Sequence, residues 1–351
     1  MSEFRPYPGT AGGHRQTLLG FWLRRKLVWT APAEDLVLEP APDVRLLARA
    51  SWQSDREARP TLVLVHGLGG CDRAAYAIST GLLAWAQGWN VVRMNMRGAG
   101  DGEALCARLY NAGLDTDLLA VLEAAAAAAP LLAVVGFSLG GNLALLTAAR
   151  RRPQLPSGLF AAVGVSPPLD LEACATALER PANRLYQSYY MRDLRLSYCS
   201  RQLRLPALYE AGRERRLRTV REYDEAITAP YGGFASAEEY YRLSSAGPHL
   251  AAIDRPALVL AAQDDPLVPA ESVARWPLPA SGLVVREMPA SGGHVGFAGR
   301  TAAPGRFWAA ERIVDFVAAA FAGRERTLSR AAAPRTAPAA PAAGTSTPSP
   351  R

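Results

Sequence analysis

Lysine and cysteine are both scarce in this chain of 351 residues, and each scarcity argues against a class of protein. Lys26 is the only lysine, so arginines make up the rest of the 39 basic residues and of the net charge of +7, and they are spread along the chain. Nucleic-acid-binding surfaces usually cluster their cations and interleave aromatic residues that stack on bases. We therefore expect no nucleic-acid partner. The cysteines lie far apart without a CxxC pair, which indicates neither a zinc site nor a disulfide framework and favours reduced thiols: Cys71, Cys106, Cys174 and Cys199.

The sequence also lacks a clear segment for export or membrane insertion. It begins Met-Ser-Glu-Phe-Arg, without an apolar stretch followed by a cleavage site, so we expect no secretory signal and a cytoplasmic location. Residues 124–149 are uncharged and numerous enough to cross a bilayer. Pro130, Gly136 and Ser138 interrupt them, so we predict a helix end, a strand, a turn and a new helix. The composition, with 49% hydrophobic residues, is that of a globular protein with a large core.

Strand-like and helix-like segments alternate through most of the chain. An antiparallel hairpin is predicted at 35–39 and 44–52. Six further apolar segments are typical of strands buried on both faces of a parallel sheet: 61–65, 90–94, 131–137, 160–165, 257–262 and 283–287. Helix-like segments follow several of them: 74–87, 116–129, the stretch after Ser138 to about Arg150, and 307–321. This rhythm indicates βαβ units, and hence an α/β fold with a mostly parallel eight-stranded sheet and helices on both faces.

The rhythm stops between residues 171 and 249, where no strand-like run occurs. This stretch is helix-prone, rich in arginine, and contains nine of the twelve tyrosines. We interpret it as a helical cap inserted into a core made of residues 1–170 and 250–325. Residues 326–351 are rich in Ala, Pro, Ser and Thr and have little apolar surface to offset the entropy of ordering, so we expect a disordered tail.

The strongest chemical signal is the sequence Gly136-Phe137-Ser138-Leu139-Gly140, which follows an apolar strand and precedes a helix. A G-x-S-x-G sequence in this context is typical of a nucleophile elbow, a tight turn that exposes the serine hydroxyl above the sheet. Glycines flank the serine because the turn leaves little room for Cβ atoms. The alternative is a glycine-rich turn with a solvated serine. We predict that Ser138 is a catalytic nucleophile.

A serine nucleophile needs a base to take its proton and an acid to hold that base. Elbow-type folds order the three along the chain as Ser, Asp, His. His294 follows the last predicted strand in a glycine-rich loop, so we predict that it is the base. His66 ends a strand and is expected to shape a loop, while His249 and His14 are weaker candidates.

The acid is expected after the strand that precedes the strand of His294, where Asp264 and Asp265 stand side by side. In many hydrolases of this type the acid lies four residues before the proline of an Asp-x-x-Val-Pro run. That register, counted from Pro269, selects Asp265. Asp264 is the alternative, and a third possibility is a turn whose aspartates only cap a helix.

Backbone N–H donors are needed to stabilise the oxyanion that forms in ester hydrolysis. We predict that one donor is the amide of Leu139, directly after the nucleophile. The other should come from the loop after the first parallel strand, His66-Gly67-Leu68-Gly69-Gly70. Leu68 is the preferred residue there, and Gly67 is the alternative.

Together these residues resemble the α/β-hydrolase superfamily, and further stretches resemble its YheT-like or AB hydrolase 4 family. His14-Arg15-Gln16-Thr17 resembles the His-x-Gln-Thr of that family, and residues 97–98, 108–113, 116–117, 228–230, 233–234 and 239–241 resemble other phrases of it. The resemblance covers about residues 13–321. Asn111 stands where the family usually has histidine, and Gly69 where it usually has an acidic residue. The resemblance implies an α/β-hydrolase fold and an esterase for short-chain carboxylic esters, with some relatives acting on monoacylglycerols or phospholipids.

We therefore expect a serine carboxylesterase for short-chain or lipid-like acyl esters, acting through an acyl-enzyme with the triad Ser138, Asp265 and His294. An acyltransferase or a thioesterase would use the same triad. A catalytically idle hydrolase-like protein that holds a lipid or a partner is the alternative from another class. No P-loop or metal-ligand spacing occurs, so no cofactor or metal is expected. Arginines within 213–221 either form a solvated helix face or hold the cap near anionic lipids in a peripheral membrane contact.

Overall fold

The structure, a computed structural model, describes residues 3–23 and 27–332. Its centre is a sheet of eight strands: β1 (Glu34–Ala41), β2 (Val44–Ser51), β3 (Thr61–Val65), β4 (Asn90–Met94), β5 (Leu132–Phe137), β6 (Leu159–Val165), β7 (Ala257–Leu260) and β8 (Val284–Glu287). The strand order is β1-β2-β4-β3-β5-β6-β7-β8. The first two pairings are antiparallel, and all pairings from β4 to β8 are parallel. The predicted α/β fold with a mostly parallel eight-stranded sheet is confirmed.

Helices follow the strands in the predicted rhythm. They are α1 (Gly13–Leu23), α2 (Ala75–Ala86), α3 (Asp115–Ala128), α4 (Leu139–Arg150), α5 (Leu171–Leu178), α6 (Arg184–Arg204), α7 (Val220–Tyr223), α8 (Ala229–Gly232), α9 (Ala237–Ser244), α10 (Ala270–Ala274) and α11 (Trp308–Ala332). Residues 124–149, the uncharged stretch, form the end of α3, all of β5 and most of α4. Within the described residues, no helix combines the length and apolar character that a membrane span requires.

Burial on both faces explains why the parallel strands are apolar. Every residue of β3, β5 and β6 is buried. Because successive side chains point to opposite faces of a strand, Leu62 and Leu64 pack in one apolar cluster with α2 and α11. Val63 and Val65 pack in another with α3 and α4. The sheet is therefore a rigid layer between two sets of helices.

Helices α5 to α9 all lie in the connection between β6 and β7, which contains no strand among the described residues. A π-helical turn, Asp224–Thr228, joins α7 to α8. The rings of Tyr198, Tyr209 and Tyr231 pack on one another, with the centroids of Tyr209 and Tyr231 4.8 Å apart. Because this connection has an apolar cluster of its own, we propose the division into a core, 1–170 and 250–325, and an inserted cap, 171–249.

The last helix is longer than the sequence led us to expect. It continues to Ala332, past residue 326, where the predicted disordered tail begins. The extra turns are composed largely of Ala, Arg, Glu and Leu, which are strong helix formers, and the first proline after them is at 334. The rest of the predicted tail, residues 333–351, lies outside the described residues.

The carboxyl ends of the parallel strands bring the candidate residues to one edge of the sheet. Ser138 directly follows β5, His66 follows β3, and Asp265 and His294 lie in the loops after β7 and β8. Open α/β sheets bind their ligands at this edge. The chain topology thus gathers residues that are far apart in the sequence.

Candidate active site

Ser138 occupies a sharp turn between β5 and α4. Its backbone angles, φ 51° and ψ −122°, fall in a region that residues with a Cβ rarely adopt. The Ser138 carbonyl accepts hydrogen bonds from the amides of Gly141 (2.8 Å) and Asn142 (3.1 Å), which begin the helix. The strained serine is thereby held at the N-terminus of α4, where the helix dipole favours negative charge.

The two glycines of the turn are required by close backbone contacts. A Cβ at Gly136 would overlap the carbonyl oxygen of Gly140, and a Cβ at Gly140 would overlap the carbonyl oxygens of Val65 and His66. The strand-turn-helix geometry expected of G-x-S-x-G is therefore present, and the steric reason for its glycines is as predicted.

The side chain of His294 contacts both of the residues predicted to act with it. Its Nε2 lies 2.9 Å from Ser138 Oγ, and its Nδ1 lies 3.0 Å from Asp265 Oδ2. His294 and Asp265 are buried, whereas Ser138 is partly accessible. With Nδ1–H donating to the carboxylate, Nε2 is left as the acceptor for the serine proton, which is the arrangement of a Ser-His-Asp triad.

The neighbouring aspartates have separate partners. The second oxygen of Asp265, Oδ1, accepts hydrogen bonds from the amides of Leu267 (2.9 Å) and Val268 (3.0 Å), which fix the carboxylate. Asp264 Oδ1 instead accepts from the amide of Gly293, 2.9 Å away, in the loop that carries the histidine. The geometry thus favours Asp265 over Asp264 as the partner of the imidazole.

Helix α1 holds the same loop from its other side, a role that sequence reasoning missed. Thr17 Oγ1 accepts a hydrogen bond from the amide of His294 (2.9 Å) and donates one to the carbonyl of Gly13 (2.7 Å). The buried Gln16 accepts from the amide of Ala298 (2.9 Å). The His-x-Gln-Thr resemblance was the available signal, but nothing in the sequence connected it with a loop about 280 residues away.

The backbone amides of the two predicted oxyanion donors, Leu68 and Leu139, are without a hydrogen-bond partner among the described residues. Leu139 begins α4, so its amide has no acceptor in the helix. The adjacent loop amides are occupied: Tyr76 OH accepts from Gly67 (2.8 Å) and Tyr110 OH from Gly69 (2.9 Å). This pattern favours Leu68 over Gly67 as the second donor.

His66 is buried beneath the oxyanion loop. Its Nδ1 lies 2.8 Å from the carbonyl oxygen of Gly67, and its Nε2 accepts from the amide of Met96, 3.0 Å away. These contacts define a neutral ring with the proton on Nδ1. Burial lowers the pKa of His66 to about 4, so the ring stays neutral and shapes the loop, in agreement with the structural role expected for it.

The other two histidines make contacts outside the triad. The ring of His14 on α1 stacks on Tyr186 of α6, with centroids 5.7 Å apart. His249 is half-buried near Arg150 and Asp115, and this partial burial lowers its pKa. Neither residue is among those that line the cavity at Ser138.

A cavity of about 250 Å³ opens at Ser138, Leu139 and His294. Much of its wall is apolar and comes from the cap and the loops below it: Leu171, Cys174, Ala175, Leu178, Leu194, Leu267 and Val268. Five tyrosines also line it, namely Tyr110 and, from the cap, Tyr190, Tyr223, Tyr240 and Tyr241. The tyrosines of the cap therefore have two roles, since four of them line the cavity whereas Tyr198, Tyr209 and Tyr231 pack on one another inside the cap.

One buried carboxylate lines this cavity beside the tyrosines. Asp224, in the π-helical turn, accepts a hydrogen bond from Tyr241 OH (2.8 Å). Burial raises the pKa of Asp224 to about 6. The described residues contain no cluster of three or more His, Cys, Asp or Glu side chains suited to hold a metal ion.

Comparisons with known proteins agree with this architecture. Residues 60–301 match the family model described as "alpha/beta hydrolase fold". "Putative esterase YheT" of Escherichia coli (strain K12) is 33% identical over 321 residues, which cover 90% of this chain and 93% of that protein. "Phospholipase ABHD3" of Mus musculus is 29% identical over 252 residues, covering 71% of this chain and 61% of that protein. The esterase Pf2001 of Pyrococcus furiosus aligns with a TM-score of 0.53 at 15% identity, over 83% of this chain and 95% of that one, and so bears on the fold.

Proposed function

Because this chain belongs to the α/β-hydrolase family, in the branch that includes YheT, we propose that it is a serine carboxylesterase. Ser138 is the nucleophile, His294 the general base and Asp265 the acid that orients the histidine. The observation that carries the proposal is the pair of contacts made by one imidazole, 2.9 Å to Ser138 Oγ and 3.0 Å to Asp265 Oδ2.

The reaction follows from this arrangement in two steps. Ser138 Oγ attacks the ester carbonyl carbon while its proton passes to His294 Nε2, and the amides of Leu68 and Leu139 stabilise the oxyanion. Collapse of this intermediate breaks the bond to the alcohol, which leaves with the proton from His294. Water then attacks the acyl carbonyl carbon while His294 Nε2 takes its proton. The bond from the acyl carbon to Ser138 Oγ breaks, the imidazolium returns the proton to Oγ, and the carboxylic acid is released. Asp265 stays ionised and stabilises the imidazolium that forms in each step.

The cavity supports an acyl ester as the substrate. Its apolar wall suits an acyl chain, and its volume of about 250 Å³ favours a short one. A lipid-like ester is the second member of the proposed class, since one relative is named a phospholipase. Assays with p-nitrophenyl esters of increasing chain length, and with monoacylglycerols, would separate the two, because a short pocket predicts a steep fall in kcat/KM beyond a limiting chain length.

A fluorophosphonate probe tests the nucleophile directly. The probe should label the wild-type protein but not Ser138→Ala, because it reacts with a serine that a histidine has activated. Ser188→Ala is the control, since Ser188 is an exposed serine of α6 and is not among the residues that line the cavity. Well-folded wild-type protein that takes up no label would favour the catalytically idle alternative.

An acyltransferase or thioesterase would give the same labelling, since each also forms an acyl-serine. Product analysis distinguishes them from an esterase. Incubation of a p-nitrophenyl ester with and without added alcohols and amines should yield the free acid as the main product if water is the acceptor. A dominant transferred acyl product would reassign the reaction.

A further inference from the structure

Large apolar side chains are exposed on two neighbouring helices beside the candidate active site. On α1, Leu18, Phe21 and Trp22 are 54%, 52% and 66% exposed. On α6, Leu185 and Tyr189 are 77% and 47% exposed. Isolated exposed apolar residues are ordinary, but a contiguous group of them usually marks an interaction surface.

Ring contacts between the helices make this group contiguous. Phe21 lies edge-on to Tyr189, with centroids 6.2 Å apart, and His14, two turns earlier on α1, stacks on Tyr186. The spacings of 18, 21 and 22 on α1 and of 185 and 189 on α6 place each set on one helix face. We call this area, Leu18, Phe21, Trp22, Leu185 and Tyr189, the α1–α6 surface.

The positive charge of the protein is concentrated in the same two segments. Residues 4–33 and 180–209 contain 11 of the 39 basic residues but only one of the 32 acidic ones, Asp193. They therefore carry a formal charge of +10, while the rest of the chain carries −3. Two of these cations, Arg201 and Arg204 of α6, are engaged with Glu103. Three of these cations, Arg15, Arg184 and Arg192, are exposed on α1 and α6 and form no ion pair with an acid in the described part of the chain.

Three of the five arginines in the stretch 213–221 are engaged with acids, and one of them is Arg215, which lies 3.9 Å from Glu214. Arg221 pairs with Glu172 (2.7 Å) and Glu179 (3.3 Å), and Arg213 pairs with Glu210 (3.1 Å). In the described part of the chain Arg216 and Arg218 remain without an acidic partner, but none of the exposed large apolar side chains lies within 213–221. This stretch therefore lacks the apolar half of the α1–α6 surface.

We propose that the α1–α6 surface docks on the anionic face of a phospholipid bilayer. Helices with exposed aliphatic and aromatic residues and basic flanks lie in the bilayer interface, where Trp and Tyr favour the head-group level and arginines attract anionic lipids. A bilayer with anionic head groups matches both features of this surface, because its apolar interior accepts the exposed apolar side chains and its head groups attract the unpaired arginines. Docking needs no hydrolysis, so it stands apart from the proposed esterase activity.

The location of the surface gives docking a consequence for substrate access. Helix α6 lines the cavity with Tyr190, Leu194 and Ser197, and α1 contacts the loop of His294 through Thr17. A bilayer that contacted these two helices would therefore lie next to the cavity wall. Esters held in the membrane would be presented at the enzyme instead of having to cross water.

Vesicle sedimentation with the full chain tests the proposal. Ser138→Ala protein, which should leave the lipid intact, is mixed with vesicles of phosphatidylcholine, with or without phosphatidylglycerol. We expect binding to the vesicles that contain phosphatidylglycerol and at least tenfold weaker binding to phosphatidylcholine alone. Added salt should weaken the binding, because it screens exposed charges. Equal binding to both vesicles, or none to either, would overturn the proposal.

Two pairs of variants locate the contact. Leu18→Ser with Trp22→Ser should weaken binding about tenfold or more, while Val37→Ser, at an apolar position of β1 that is 53% exposed, should not. Arg15→Ala with Arg192→Ala should also weaken it, whereas Arg215→Ala with Arg218→Ala should not. Loss only in the second arginine pair would move the contact to the stretch 213–221. Light scattering completes the test, since a wild-type dimer that Trp22→Ser dissociates would make the surface a contact between copies of this chain and refute membrane docking.

Discussion

Asp264 and Asp265 are adjacent in the sequence, yet their carboxylates act on different parts of one loop. Asp265 contacts the imidazole of His294, and Asp264 contacts the backbone amide of Gly293. A carboxylate beside the imidazole selects its tautomer and stabilises its charged form, whereas one on a backbone amide restrains only the loop. We therefore expect substitution of Asp265 to lower kcat much more than substitution of Asp264.

The asparagine substitutions measure this difference. Asp265→Asn should lower kcat by about 10⁴, because an amide no longer enforces the productive tautomer. Asp264→Asn keeps an oxygen that can accept the hydrogen bond from Gly293. Its kcat should therefore fall by no more than about tenfold, which corresponds to one weakened hydrogen bond. Steady-state kinetics on a soluble ester compares them. A greater loss in Asp264→Asn would exchange the two assignments.

His294→Ala tests the base by the same assay. The variant should fold normally and lose several orders of magnitude in kcat, because the members of a triad act as a unit. Circular dichroism provides the folding control. Activity within tenfold of the wild type would assign the base to another residue.

Helix α1 is the element whose importance was least visible in the sequence. Its first turn packs against Asp264, since a Cβ at Gly13 would overlap the Asp264 carbonyl, and its Thr17 and Gln16 hydrogen-bond to the loop of His294. Nearby, the ring of Phe4 packs edge-on against Phe297, with centroids 5.6 Å apart. The N-terminal segment therefore packs against the loop that carries His294 and hydrogen-bonds to it, and we expect this support to position the imidazole.

Substitution of Thr17 tests whether α1 positions His294. Thr17→Val removes the hydroxyl at nearly constant volume and leaves the amide of His294 without its acceptor. We expect kcat to fall about tenfold with little change in KM, because the misplaced base slows the chemistry and leaves the cavity intact.

Thr17→Ser is the matched control for this element, since it keeps the hydroxyl. It should restore most of kcat and of the rate of fluorophosphonate labelling. If Thr17→Val lowers only the melting temperature, or if Thr17→Ser is as slow as Thr17→Val, then Thr17 has a purely structural role and does not position His294.

Two buried titratable groups make opposite contributions to the stability of the whole molecule. The pKa of Asp224 rises from 3.8 to about 6, so the stability it contributes is fully present below about pH 4 and is lost as the pH rises through 6. The pKa of His66 falls from 6.5 to about 4, so the stability linked to it is present above pH 6.5 and is lost as the pH falls toward 4. In the wild type the two effects largely cancel between pH 4 and 6.5.

Asp224→Asn removes the pH dependence of stability that comes from Asp224 and leaves the one that comes from His66. The stability of the variant relative to the wild type should rise between about pH 4 and pH 6 and level off above, by up to about 3 kcal/mol for a shift of roughly two pKa units. Melting temperatures over this pH range measure the difference. Tyr241→Phe, which keeps the carboxyl group, should show no such rise in stability relative to the wild type. A constant difference between Asp224→Asn and wild type would show that Asp224 does not titrate in this range.

Local patterns in the sequence were sufficient for the strands, the order of α/β units and the turn around Ser138. The reason is that a strand buried on both faces must be apolar along its length, and a turn as tight as 136–140 accepts only glycine at its flanks. The end of α11 was placed too early, since alanine-rich composition is compatible with both a helix and a disordered tail.

Contacts between residues far apart in the chain could not be predicted from sequence patterns, because they depend on how the loops at the edge of the sheet pack on one another. Sequence patterns alone do not show which of the adjacent Asp264 and Asp265 contacts the base; the structure does, because Asp265 Oδ2 lies 3.0 Å from the imidazole of His294. The amides of Gly67 and Leu68 look alike until the hydroxyl of Tyr76 occupies the first of them. In the sequence Thr17 is an ordinary helical residue, and only the folded chain shows that it accepts a hydrogen bond from the amide of His294, 277 residues away.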